Sequence, residues 1–321
     1  MFIFLKSILQ KLFKRNTPSI HMQARLSPYD ERDYTVGSVM EVSTDLKIPS
    51  DFTVWQPPVE NQGSTGNCVA QSVANIMECI EHKYGGDHKD YSVGFIYGSP
   101  SNCADWGMFP RDACHIVTHD GELLRSEFEC TMENPACKNY WYSSITPELK
   151  EKAKTRQALA YVHISTKEEM QAFMLKYNLP VMIVAQSSAF YPSASGRHAT
   201  VCYGWISEET YNNNVHEYCD MVEWGVGYQD ILFTNSWGVY YHNKGRGACK
   251  FNDIEEIWGI VPVDKIKLTD IENCWAKEDI QYLVDNGLVN GYEDNTFRPD
   301  EKITRAEMAA LLARALREIK G

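Results

Sequence analysis

No stretch of this sequence is apolar for long enough to cross a bilayer as a helix, which takes about 20 residues, and no basic stripe interleaved with aromatics runs through it. The charge has the wrong sign for a nucleic-acid partner. Lys and Arg number 31 against 43 Asp and Glu, a formal net charge of -12, whereas phosphate binding needs a basic face. Ten cysteines in 321 residues are too few for a scaffold held by disulfides. Cys130 and Cys137 bracket a proline-containing loop and can either bridge or stay reduced. Metal motifs are missing as well. His115 and His119 stand four apart in CHIVTHD, but no Glu follows His115 as a metalloprotease requires, so they read as a solvated helix face. The acidic loop DNGLVNGYEDNT lacks the alternating carboxylates and final bidentate Glu of a calcium site and reads as a turn. No cofactor and no metal are expected.

The N-terminal MFIFLKSILQKLFKRNTP has no small-residue cleavage site, and Lys6 and Lys11 interrupt its apolar run. It reads as a short basic amphipathic helix, for a membrane surface or for packing, rather than as a signal peptide.

What is present is a globular chain. A hydrophobic content of 44% is ample for a core, and the length suits one large and one small domain. Residues 1–50 form the amphipathic segment and a polar lead-in punctuated by Pro18, Pro28 and Pro49. The lead-in can lie along a cleft as a short pro-segment; an extended strap on the back of the following domain is the favoured reading. The first half of residues 51–263 looks helical. Val69, Val73, Ile76, Met77 and Ile80 share one helix face that begins at Cys68, and RDACHIVTHDG is a second helix stopped by Gly121. LPVMIVAQ, HATVCYGWI, DILFTNSW and GACKFNDI in the second half read as strands. A helical half and a β half predict an α+β fold of two lobes with a cleft between them. Residues 264–321 change register into a small helix-loop-helix module whose second helix opens with a Thr304/Glu307 capping box.

Cys68 carries the chemistry. A thiol is a useful nucleophile only as thiolate, and the first turn of a helix favours negative charge. Such a cysteine needs an imidazole, a group to orient it, and donors for an oxyanion. Gln62 on the preceding turn can donate, His198 opens the strand HATVCYGW, and Asn235 in FTNSWG can accept from the ring, with Trp237 covering the pair.

VENQGSTGNCVAQS resembles the active-site segment of the papain-like cysteine peptidases. HATVCYGW is similar to their histidine strand and ILFTNSWGVYYHNKGRGACKF to their Asn-Ser-Trp-Gly segment. The order Cys, His, Asn and a separation of 130 residues between Cys68 and His198 agree with that family's spacing of roughly 130–150. The resemblance covers about residues 50–262. It implies a papain-like two-lobe fold, an α lobe and a β-barrel-like lobe, with the site in the groove. It also implies Cys68 as nucleophile, His198 as acid and base, Asn235 as orienter and Gln62 as oxyanion donor. DWGMFP resembles the family's substrate-binding stretch, so Gly107 and Met108, with Trp237, are expected along the substrate. Three departures stand out. Thr65 occupies the place of a disulfide cysteine whose orphaned partner is Cys103, Val69 replaces a tryptophan, and Arg197 precedes the histidine, where a cation turned inward disfavours imidazolium.

The segment LTDIENCWAKEDIQYLVDNGLVNGYEDNTFRPDEKITRAEMAALLARAL resembles an S-layer homology motif. Modules of that family bind acidic, pyruvylated wall polymers, which makes Asp270, Trp275, Gly291 and Arg305 the candidate polymer-binding residues. Arg305 offers a fork for a carboxylate and Trp275 a face for a sugar. Family members usually carry three motifs and this chain has one, so either three chains associate through it, the favoured reading, or it is a packing element on the larger domain.

The reading is a bacterial or phage-borne cysteine endopeptidase acting on protein or peptide at the cell surface or outside the cell. It is attached or oligomerised through its module, with secondary cell-wall polymer as partner and no nucleic acid. A wall amidase on the same thiol chemistry and an inactive wall-binding scaffold are the alternatives.

Overall fold

Runs of β-branched and aromatic residues become strands where partners flank them on both sides, and this sets which runs are continuously apolar. The computed structural model describes residues 24–31, 33–40, 46–85, 88–98, 105–128, 145–191, 194–218, 227–241, 243–263, 268–285, 289, 296–305, 308–309 and 312. The chain forms two compact units, Met1–His82 with Asp87–Val261, and Lys83–Gly86 with Pro262–Gly321.

In the larger unit seven described strands make one antiparallel sheet. They are β1 (Phe52–Thr53), β2 (Ala160–Ile164), β3 (Val181–Gln186), β4 (Arg197–Trp205), β5 (Ile231–Thr234), β6 (Arg246–Cys249) and β7 (Ile254–Val261). Their order is β2-β7-β3-β4-β5-β6, with β1 on β4. Strand β3 pairs with β4 on one side and β7 on the other. Five of its six residues are buried, which is why LPVMIVAQ shows no polar alternation. The four strands read from the sequence all form. β2 and β7 were not among them, nor was the helix Lys167–Tyr177, which opens in a Thr166/Glu169 capping box.

The helix Cys68–Gly85 departs from a one-faced pattern, because every residue from Cys68 to Cys79 is buried. Val69, Val73, Ile76 and Met77 join one apolar cluster with Phe95, Ile96, Val117 and Leu123 of the helical half and Met182, Val184, Ala199 and Val201 of the sheet. A helix enclosed between two lobes has no solvent side. Its polar residues Gln71, Ser72 and Asn75 instead face Thr200, Thr234 and Asn235 across a cavity of about 20 Å³, room for a single water.

RDACHIVTHDG forms the helix Pro110–His119. Gly121 closes it at φ +79, where an added Cβ would lie 2.0 Å from the Ala153 carbonyl oxygen.

The lead-in does not pass wholly behind the sheet. Ala24 forms a parallel bridge with Met108, and further on Thr35 bridges His163 of β2. The smaller unit has its own core of Leu268, Ile271, Ile280, Val284 and Val289, built around the helix Lys277–Asp285. No described helix is long and apolar enough to cross a membrane. The N-terminal amphipathic stretch, the Cys130–Cys137 and Cys103 pairings, Glu307 of the capping box and the loop from Asn290 lie outside the described residues.

Candidate active site

Cys68 is the first residue of its helix, so its sulfur sits where unpaired N–H groups and the helix dipole converge. The turn before it is braced from two directions. The Gly66 N–H donates to Asp105 Oδ1 at 2.7 Å, and that carboxylate also accepts from the Tyr97 hydroxyl at 2.7 Å. Burial pushes the Tyr97 phenol up, and the hydrogen bond and charge of Asp105 push it further. Gly107, at φ +80, donates its N–H to the same hydroxyl at 3.2 Å.

The backbone N–H of Gln62 donates to the Ser236 carbonyl at 2.8 Å. Its side chain is held at both ends. Nε2 donates to the Thr65 carbonyl at 2.8 Å, and Oε1 accepts from Ser236 Oγ at 2.6 Å. A primary amide has two N–H groups, and this arrangement commits one of them to the turn.

His198 lies on β4, whose alternation turns it inward while its neighbour Arg197 turns out. The Arg197 guanidinium pairs with Glu255 at 2.9 and 3.2 Å, so the cation does not face the imidazole. His198 Nε2 lies 3.0 Å from Asn235 Oδ1. The same oxygen accepts the Ser236 N–H at 2.7 Å, which identifies the atom as oxygen and hence Nε2 as the protonated nitrogen. Nδ1 is then the nitrogen with a lone pair for a thiol proton. Trp237 stacks on the imidazole at 4.6 Å between centroids, with Phe190 edge-on at 5.8 Å. The Asn235 N–H donates to the Gly245 carbonyl at 2.8 Å.

Cys68 is a thiol outside any disulfide, as are Cys79, Cys114, Cys202, Cys249 and Cys274. Burial pushes the Cys79 and Cys114 thiols up and takes Cys202 up to about 12. Cys202 is thus a packing residue. His115 and His119 stack at 3.8 Å on an exposed face, and no metal-ligand cluster occurs among the described residues.

The sequence left Ser236, Asp105 and Tyr97 unassigned. Ser236 adjoins Asn235, so a closer reading of FTNSWG had access to it. Asp105 and Tyr97 reach the Cys68 turn only through the fold.

In the smaller unit the Asp270 carboxylate accepts the Phe297 and Arg298 N–H groups at 2.8 and 2.7 Å, so it holds a turn. Trp275 is 94% exposed and Arg305 is exposed. Gly291 lies outside the described residues.

A family model of the S-layer homology domain matches residues 267–309. Over 52 residues the chain is 50% identical to a cellulosome-anchoring protein of Acetivibrio thermocellus, covering 16% of this chain and 12% of that protein. Over 54 residues it is 43% identical to the outer membrane protein SlpA of Deinococcus radiodurans, covering 16% of this chain and 5% of that protein. The chain therefore spans a small part of the curated relatives it matches.

Among solved structures, xylellain, a cysteine protease from Xylella fastidiosa, aligns with a TM-score of 0.61 and 15% identity over 76% of this chain and 97% of that one. A procathepsin B from Trypanosoma congolense aligns at 0.54 and 11% identity, over 75% and 86%. The larger part of the chain has the papain-like cysteine protease fold, and an S-layer homology domain follows it.

Proposed function

We propose that the protein is a cysteine endopeptidase held at a bacterial cell surface by its C-terminal module. The observation that carries this reading is the oriented pair His198–Asn235 at 3.0 Å, in a fold that sets Cys68 at a helix start and Gln62 on the turn before it.

In this reading Cys68 Sγ gives its proton to His198 Nδ1 and attacks the peptide carbonyl carbon. The oxyanion takes hydrogen bonds from the second Gln62 N–H and the Cys68 backbone N–H. The imidazolium, held by Asn235, protonates the leaving amine, and water activated by His198 then releases the acyl group from sulfur. Gly107 and Met108 line the substrate, and Trp237 keeps water from the imidazole.

An epoxysuccinyl probe should modify Cys68, with the label lost in Cys68→Ala. Casein should be cleaved under reducing conditions. Turnover of peptidoglycan with none of casein would replace the peptidase reading by the wall amidase, and failure of any probe to modify Cys68 would leave a scaffold.

Attachment is supported by the S-layer homology match and the name of the cellulosome-anchoring relative. Trp275 and Arg305 supply a stacking face and a cation for an acidic glycan. Ile303, Met308 and Leu312 are exposed at 50–55%, which supports association of three copies through a module that carries one motif. Sedimentation of the intact chain tests this, and a monomer at micromolar concentration would remove the trimer.

A further inference from the structure

Cys68 follows a turn that carries Thr65 where the resemblance implies a bridging cysteine, and every cysteine among the described residues is a free thiol. Thr65 spends its backbone within the turn. Its N–H donates to the Gln62 carbonyl at 3.2 Å, and its carbonyl accepts Gln62 Nε2 at 2.8 Å. The residue that reaches out is Gly66, whose N–H donates at 2.7 Å to Asp105 Oδ1, 39 positions along the chain. The same oxygen accepts the Tyr97 hydroxyl at 2.7 Å, and the Tyr97 oxygen accepts the Gly107 N–H at 3.2 Å. Three hydrogen bonds therefore run in series from the nucleophile's turn to the expected substrate wall.

Asp105 is the hub of the series. A carboxylate oxygen accepts from two donors at once, and hydrogen bonds to a charged acceptor are about twice as strong as neutral ones. Tyr97 is fixed from behind by its helix, Val93–Gly98, every residue of which is buried. Burial pushes the Tyr97 phenol up, the hydrogen bond and charge of Asp105 push it further, and the charge of Cys68 as thiolate adds to this. The phenol keeps its proton, and it gives that proton to Asp105 rather than to sulfur, where a donated hydrogen bond would damp the nucleophile. Gly107, at φ +80, turns its N–H to Tyr97 in a conformation that a side chain would strain.

We propose that Asp105 is a positioning residue of the reaction, which holds the nucleophile's turn through Gly66 and the substrate wall through Tyr97 and Gly107 as a single unit, by a link that reducing agents do not open. The proposal rests on the peptidase reading for what Cys68 and Gly107 do, but not for the links between them. A substrate seated on Gly107 is then set in register with Cys68 before the attack, and small errors in that register are costly to the rate.

Asp105→Ala removes the hub, Asp105→Asn keeps an oxygen with two lone pairs, and Tyr97→Phe cuts the link to Gly107. With active enzyme counted by epoxysuccinyl labelling, Asp105→Ala should lower kcat on a fluorogenic peptide at least about ten-fold, and Asp105→Asn should recover most of it. An unchanged kcat in Asp105→Ala, or an Asp105→Asn chain as slow as Asp105→Ala, overturns the positioning role. Native-state amide exchange reads the links without any turnover. Asp105→Ala and Tyr97→Phe should each speed exchange at both Gly66 and Gly107 by about five-fold or more, while the β3 amides exchange as in the native chain. Where Asp105→Ala speeds β3 as well, Tyr97→Phe carries this test. A response confined to Gly107 in Tyr97→Phe overturns the single unit, and faster Gly66 exchange when a phosphine reductant is added to the native chain overturns the reduction-proof link. Exchange that responds as expected in chains that cut no peptide supports the link and overturns the peptidase alone.

Discussion

Asn235 Oδ1 serves two donors at once, the His198 ring and the Ser236 N–H. Asn235→Ala should therefore lower kcat/KM by roughly 10²-fold or more, as loss of an imidazole's orienting partner does. Steady-state kinetics on a fluorogenic peptide would show it. Ser236 acts one step further back, through the 2.6 Å bond from its hydroxyl to Gln62 Oε1. Ser236→Ala should reduce kcat by about ten-fold, less than loss of the donor itself, with KM little changed. A fall confined to KM would remove Ser236 from the positioning of Gln62.

Glu78 makes a different prediction. Burial raises its carboxyl to about 8, the charges of Asp90 and Glu60 add to this, and the Tyr91 N–H and Arg125 oppose it. The folded state holds that proton more tightly than the unfolded one. Stability is then greatest at acid pH, falls as pH climbs toward 8, and levels above it. Chemical denaturation between about pH 5 and about pH 8 should show a loss of a few kcal/mol, and Glu78→Gln should flatten most of the slope. Glu122, fully buried and also pushed up by burial, should keep a residue of it.

Among the elements, the strands with hydrophobic runs were legible because a central strand buries both faces and its composition shows this directly. The strands β2 and β7 were harder to read. AYVHI alternates weakly at a sheet edge, and IEEIWGIV carries Glu255 and Glu256 near its start, whose partners Arg197 and Ser27 lie elsewhere in the chain. The Cys68 helix was legible in position and length of apolar face, but the burial of Gln71, Ser72 and Asn75 follows only from the second lobe. The helix stop at Gly121 was readable, and its necessity has two causes, a positive φ and the approach of Ala153. Gly121→Ala should cost about 2–4 kcal/mol, measured as a lowered denaturation midpoint with unchanged slope.

At the scale of the whole molecule, each unit carries its own apolar core. Truncation after Val263 should leave kcat/KM on a soluble peptide within about two-fold and abolish co-sedimentation with wall fragments. Co-sedimentation that persists would move attachment to the larger unit or the N-terminal stretch.

The sequence by itself determined where the candidate groups stand: Cys68 at a helix start, His198 on a later strand, Asn235 directly after another, Gln62 on the turn, and a module that resembles a known type from residue 264. These follow from local rules, since helix starts, strand composition and motif order are written over short spans of chain. Only the tertiary structure decided that Arg197 turns away to Glu255, that Ser236 and Asp105 brace the site, and that Ala24 and Arg25 donate to the Arg197 and Met108 carbonyls. Each of these depends on contacts between residues 39 to 174 positions apart, and no local pattern encodes which distant backbone carbonyl an extended segment will reach.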